Sequence, residues 1–129
     1  QYRTVATGTW TDPSIWEVYN GTAWIAATEY PGQLQSTCPG TLGSIRNGHT
    51  ITLASDITYS NIDVLQGGSL VVQQNVVLTI TVNSIINIYG TIVMNSTAHI
   101  NGAGSYYLAP GASMHVGSSQ GIKHKQYGG

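Results

Sequence analysis

The stretch Gly68-Ser69-Leu70-Val71-Val72-Gln73-Gln74-Asn75-Val76-Val77-Leu78-Thr79-Ile80 is answered 22 residues later by Gly90-Thr91-Ile92-Val93-Met94-Asn95-Ser96-Thr97-Ala98-His99-Ile100. Leu70, Ile92 and Met114 are spaced by 22, and so are Val72, Met94 and Val116, and Leu78, Ile100 and Ile122. Val64, Ile86 and Leu108 keep the same step, and Gly68, Gly90 and Ala112 hold it at a turn. A fixed period of a few tens of residues marks a solenoid. Within each repeat the local period is two: Leu70 and Val72, then Val76, Leu78 and Ile80, then Ile86 and Ile88. Such alternation reads as short strands with one buried face. Polar breaks at Gln73-Gln74-Asn75 and Asn83-Ser84 separate them. Three strands per coil, with coils stacked at about 4.8 Å, describe a parallel β-helix. Crossovers between parallel strands are almost always right-handed. The expected fold is all-β: a short right-handed parallel β-solenoid of about three to four coils. Its aliphatic ladders place Leu78, Ile100, Val72, Met94 and Ile86 in one core. Upstream, Gly48-His49-Thr50-Ile51-Thr52-Leu53 begins a similar coil, shorter than the others by about two or three residues.

Composition agrees. The chain has 129 residues, one domain by length. Only 7% are charged, Phe is absent, and Ser, Thr and Asn make up 35 residues. Good helix formers are scarce, which argues against a bundle or a coiled coil. Lys and Arg number 4, too few for a nucleic-acid partner that must have its phosphates neutralised. No Asp, Glu, Lys or Arg lies between Asp63 and Lys123. That span is rich in Val and Ile yet lacks the run of about 18 apolar residues a membrane helix needs. The lone Cys38 cannot form an internal disulfide. The sequence opens at Gln1 rather than Met, as expected of a processed product or an excised piece.

Three regions follow. Residues 1–44 hold all three Trp, three of the four Pro and Cys38. Residues 45–122 carry the coils, and 123–129 form a polar tail. In the first region, Trp16-Glu17-Val18-Tyr19 and Thr22-Ala23-Trp24-Ile25 flank Asn20-Gly21, the signature of a two-residue type I′ hairpin in which Tyr19 faces Thr22. Tyr30-Pro31-Gly32 through Cys38-Pro39-Gly40 reads as a connecting loop. The hairpin is expected to cap the solenoid, whose uncapped end exposes unpaired backbone.

The candidate chemistry is sparse. The carboxylates are Asp12, Glu17, Glu29, Asp56 and Asp63, with none in the coils beyond Asp63. A solenoid face without acid, base or metal ligand cannot cleave polysaccharide, so no catalytic residue, metal or cofactor is expected. His49, His99, His115 and His124 share no 22-residue register and no ligand spacing; they read as surface residues. Trp16, Trp24 and Tyr30 are candidates for stacking on sugar rings. The competing reading makes these rings the core of the cap, since Trp is mostly buried. Thr50/Thr52 and Thr79/Thr81 suggest an ice-binding row, but the positions 22 beyond Thr79 and Thr81 carry no Thr. Asn20-Gly21-Thr22 and Asn95-Ser96-Thr97 match the glycosylation pattern, a short motif that also arises by coincidence. At the far end, Lys123, His124 and Lys125 replace any cap. Met114, Val116 and Ile122 are then an apolar floor expected to meet a following domain or another copy of the chain.

Several motifs carry a family resemblance. They are Gly8-Thr9-Trp10-Thr11-Asp12-Pro13-Ser14-Ile15-Trp16, Trp16 to Trp24, Ile45-Arg46-Asn47-Gly48-His49-Thr50-Ile51-Thr52-Leu53, Gly67-Gly68-Ser69-Leu70 and Gly117-Ser118-Ser119-Gln120-Gly121-Ile122. In order and spacing they resemble β-solenoid modules of large secreted and surface proteins of Bacteroidetes-type bacteria, and distantly the G8 domain. The resemblance spans roughly residues 5 to 122. It implies an extracellular or cell-surface setting, in adhesins and exoproteins often exported by type IX secretion, with no catalytic residues to carry over. The expected function is a non-catalytic structural or adhesive module. The alternatives are a carbohydrate-binding module using Trp16, Trp24 and Tyr30, or a filament subunit stacking end to end.

Overall fold

The computed structural model describes residues 1–33, 42–117, 121–122 and 126–127. In chain order the strands are β1 (Tyr2–Thr4), β2 (Gly8–Thr9), β3 (Trp16–Tyr19), β4 (Trp24–Ala26), β5 (Leu42–Ile45), β6 (Thr50–Leu53), β7 (Ile57–Tyr59), β8 (Asn61–Val64), β9 (Ser69–Val72), β10 (Val77–Ile80), β11 (Ile85–Ile88), β12 (Thr91–Met94), β13 (His99–Gly102), β14 (Ser105–Leu108), β15 (Ser113–Val116), β16 (Gly121–Ile122) and β17 (Gln126–Tyr127). A single 3-10 turn, Pro13–Ile15, lies between β2 and β3. Among the described residues no helix is long and apolar enough to cross a membrane.

The chain winds as a β-solenoid with roughly 22 residues per coil. Its strands form three sheets along the stack. Sheet 1 runs β17-β14-β11-β8-β5-β1-β3-β4, sheet 2 runs β15-β12-β9-β6-β2 and sheet 3 runs β16-β13-β10-β7. Every pairing in sheets 2 and 3 is parallel. The strands β8 to β12 alternate between half-buried and buried residues throughout. Inward positions stack into columns: Ile51, Leu70 and Ile92 in sheet 2, and Ile57, Leu78 and Ile100 in sheet 3. Leu78, Ile100, Val72 and Ile86 are fully buried and Met94 is 1% exposed, as the ladders required. Each coil therefore buries aliphatic surface against its neighbours, the main stabilising term of such a stack.

From β9 and β10 onward the step of 22 holds in sheets 2 and 3, where Leu70 pairs with Ile92 and Leu78 with Ile100, whereas Ile57 pairs with Leu78 at a step of 21. It fails in sheet 1. Val64 pairs with Ile88, and Ile86 belongs with Ile62 and Tyr106. The reason lies at the corners. Residues 81–84 separate β10 from β11, whereas residue 60 alone separates β7 from β8. The next corner compensates, because only Tyr89 and Gly90 join β11 to β12 where 65–68 join β8 to β9. The compressed corner requires glycine: a Cβ on Gly90 would lie 2.3 Å from the Gly68 carbonyl oxygen. The first coil is short, as expected, with Ile51 paired to Leu70.

The N-terminal region is more than a cap. β1 pairs parallel with β5, and β2 parallel with β6, so residues 2–9 are rungs of the stack. A boundary at residues 44 and 45 would cut through β5. Residues 126–127 of the expected tail likewise pair with β14. The hairpin β3–β4 exists, but Tyr19 pairs with Trp24, not Thr22. Asn20–Ala23 form a four-residue loop in which the Asn20 side-chain oxygen accepts from the N–H groups of Thr22 and Ala23, both at 2.9 Å. Gly21 takes a positive φ of 99° and Asn20 does not, so the turn is not type I′. Asn20 spends its side chain on an Asx turn instead. Most of the expected loop, including Cys38, and the charged residues Lys123, His124 and Lys125 lie outside the described residues.

Candidate functional site

The first coil opens on an aromatic plug. Trp10 is fully buried, with Trp16 and Tyr2 each 1% exposed. Trp10 meets Trp16 edge-on at 5.0 Å and Tyr59 at 6.0 Å. Both indoles find the partner a buried N–H needs: Trp10 donates to the Pro31 carbonyl and Trp16 to the Trp10 carbonyl, each at 2.9 Å. Trp16 is thus core and has no face to offer a sugar, which corrects its reading as a stacking residue. Tyr30 is half-buried and packs against the same core. Trp24 is half-buried on the outer side, where the Arg3 guanidinium sits 4.2 Å above its ring and Tyr19 leans on it at 5.4 Å. The three aromatics named from sequence do not form one surface.

A different constellation emerges on the outer face of sheet 1. Pairing sets Tyr107, Asn87, Asp63, Ser44, Arg3 and Glu17 at successive register positions across six strands. The row from Tyr107 to Arg3 is about 19 Å long at the strand spacing. At one end Arg3 donates through Nε to Glu17 Oε1 at 2.9 Å, closing an ion pair. In the middle Asn87 Nδ2 donates to Asp63 Oδ1 at 3.0 Å. At the other end Tyr107 meets Tyr89, 41% exposed, at a ring distance of 6.3 Å. Reading the coils alone misses this row, because three of its members, Arg3, Glu17 and Ser44, lie outside them. The signal that finds it is the two-residue alternation of Tyr2-Arg3-Thr4, which marks β1 as a further rung.

A second polar centre pins β1 to the first corner. The buried Thr4 hydroxyl accepts the Arg46 N–H at 3.0 Å and lies 2.7 Å from His49 Nδ1. Arg46 Nε also donates to the Thr4 carbonyl at 2.8 Å. Burial pushes the His49 imidazole below its ordinary value, and the charge of Arg46 adds to the effect. Asp12 caps the 3-10 turn by accepting from the hydroxyl and backbone N–H of Ser14, which hold its carboxyl below the usual range. These bonds pin β1 to the first corner and cap the 3-10 turn.

At the far end the inward columns lose their cover. Along one column Leu53 and Val72 are fully buried, Met94 is 1% exposed and Val116 is 45% exposed. Met114 is only partly buried. Ile122 pairs with Ile100, which places it at the same end. Among the described residues no three of His, Cys, Asp and Glu gather as metal ligands. No protein-family model, curated protein or solved structure matches this chain.

Proposed function

We propose that this chain is a non-catalytic structural or adhesive module of a secreted or surface-exposed bacterial protein. The observation that carries this reading is the asymmetry of the two ends. One end is plugged by Trp10, Trp16 and Tyr2 under an antiparallel hairpin, while at the other Met114 is only partly buried and Val116 is 45% exposed, which supports continued stacking there. A solenoid plugged at one end and, among the described residues, partly exposed at the other suits a spacer that abuts a following domain. A filament of identical copies is the weaker version, because the hairpin β3–β4 occupies the edge of sheet 1 that a second copy would have to pair with. The sparse charge and Ser/Thr/Asn surface fit a module that presents a face rather than performing chemistry.

Hydrogen exchange at residues 113–116 tests this reading. Exchange should be fast in a dilute monomer and slow when the same residues are followed by their native neighbour. Equal protection in both would overturn it. Release of reducing ends from any polysaccharide incubated with the purified chain would overturn the non-catalytic part.

A further inference from the structure

We infer that Asp63, Asn87, Tyr107 and Tyr89 form a subsite for a neutral glycan on the outer face of sheet 1, an inference that rests on the adhesive reading above. The bond from Asn87 Nδ2 to Asp63 Oδ1 uses one amide hydrogen and one carboxylate oxygen. It leaves the second Asp63 oxygen and the Asn87 amide oxygen as acceptors, with one amide hydrogen as donor. It also fixes the two side chains side by side on adjacent strands, so less rotamer freedom is lost when a ligand binds. An acceptor-rich pair of this kind calls for a ligand rich in donors, and adjacent sugar hydroxyls supply them. Tyr107 stands at the next register position beyond Asn87, and Tyr89 packs against it. A ring 41% exposed beside a fixed polar pair offers a platform for the apolar face of a pyranose.

Charge selects the class of ligand. The nearest cation along the row is Arg3, two register positions from Asp63 and already bonded to Glu17. The subsite is therefore net negative and repels phosphate, sulfate and uronate groups. Charge thus disfavours nucleic acid and acidic glycans, and the paired acceptors with the exposed tyrosine ring favour a hydroxyl-rich neutral one. The Trp24 end of the row differs, because its aromatic faces are taken up by Arg3 and Tyr19.

The test is a glycan array carrying neutral oligosaccharides of glucose, xylose, mannose and N-acetylglucosamine, with heparin as the anionic control. The purified chain should be retained on at least one neutral glycan and not on heparin. Tyr89→Ala and Asn87→Ala should each weaken retention about tenfold with unchanged circular dichroism, Tyr89→Trp should restore it, and Trp24→Ala should leave it as it was. Absence of any neutral-glycan retention by the unsubstituted chain would overturn the subsite while leaving the structural reading intact. So would retention indifferent to Tyr89→Ala, dependence on Trp24, or loss on adding a chelator.

Discussion

Thr97 is the residue that fits its place least well. It holds φ at 62°, in the left-handed region, at the corner between β12 and β13. Asn75 holds φ at 65° at the corresponding corner one coil earlier. Asparagine tolerates this conformation, whereas a β-branched residue pays for it by about 1–2 kcal/mol. The hydroxyl offers some return, since Thr97 Oγ1 accepts the Asn75 N–H at 3.0 Å and bonds the Asn75 side chain. Replacing Thr97→Asn should relieve the strain and stack two amides, raising stability by about 1 kcal/mol in chemical denaturation; a loss of stability would mean the hydroxyl outweighs the strain. His49 carries the second residue-level expectation. Its folded-state pKa lies below the unfolded one, so the unfolded chain binds the proton more readily. Its contribution is fully present above the ordinary imidazole value and is lost as pH falls through that value toward the lower folded one. Its imidazole titration followed by NMR should have its midpoint below 6.5, the ordinary value; a midpoint at or above it would contradict the burial of His49 beside Arg46.

At the level of elements, the stack is held by columns of aliphatic residues and closed by one aromatic cluster. Ile100→Ala should cost about 2–5 kcal/mol, because Ile100 is fully buried with coils on both sides. Trp10→Ala should cost about 3–5 kcal/mol, and both losses are measured by equilibrium denaturation. A cost below 1 kcal/mol at either position would contradict the packing. These columns were legible in the sequence because Leu, Ile and Val alternate with polar residues at a fixed step. The corner lengths were not. Four residues at 81–84 followed by two at 89–90 preserve the overall count, so a uniform repeat looks unbroken while sheet 1 slips by two at one coil and recovers at the next. The hairpin was legible as an element but not in its register, because Asn20 can serve either a type I′ turn or an Asx turn. The aromatics were recognised as a group, yet one-dimensional order could not separate Trp16 in the plug from Trp24 outside it.

Across the whole molecule, the full length of the polar row on sheet 1 depends on how the first strand joins the first coil. Arg3 and Glu17 lie far from Asp63, Asn87 and Tyr107 in the chain, and only the parallel seating of β1 on β5 brings them onto one face. Acid and base groups are missing from the sequence only in the coils beyond Asp63; sheet 1 sets Asp63 in the same row as Arg3 and Glu17. The candidate subsite was invisible in the sequence for the same reason that the uniform repeat misled: a step of 22 from Asp63 lands on Ile85, an aliphatic residue, whereas Asp63 in fact pairs with Asn87. Cross-strand NMR contacts in sheet 1 test this most directly. Asp63 should show backbone contacts to Asn87, and Arg3 to Ser44. Contacts from Asp63 to Ile85 instead, or none between Arg3 and Ser44, would contradict both the register and the face built on it.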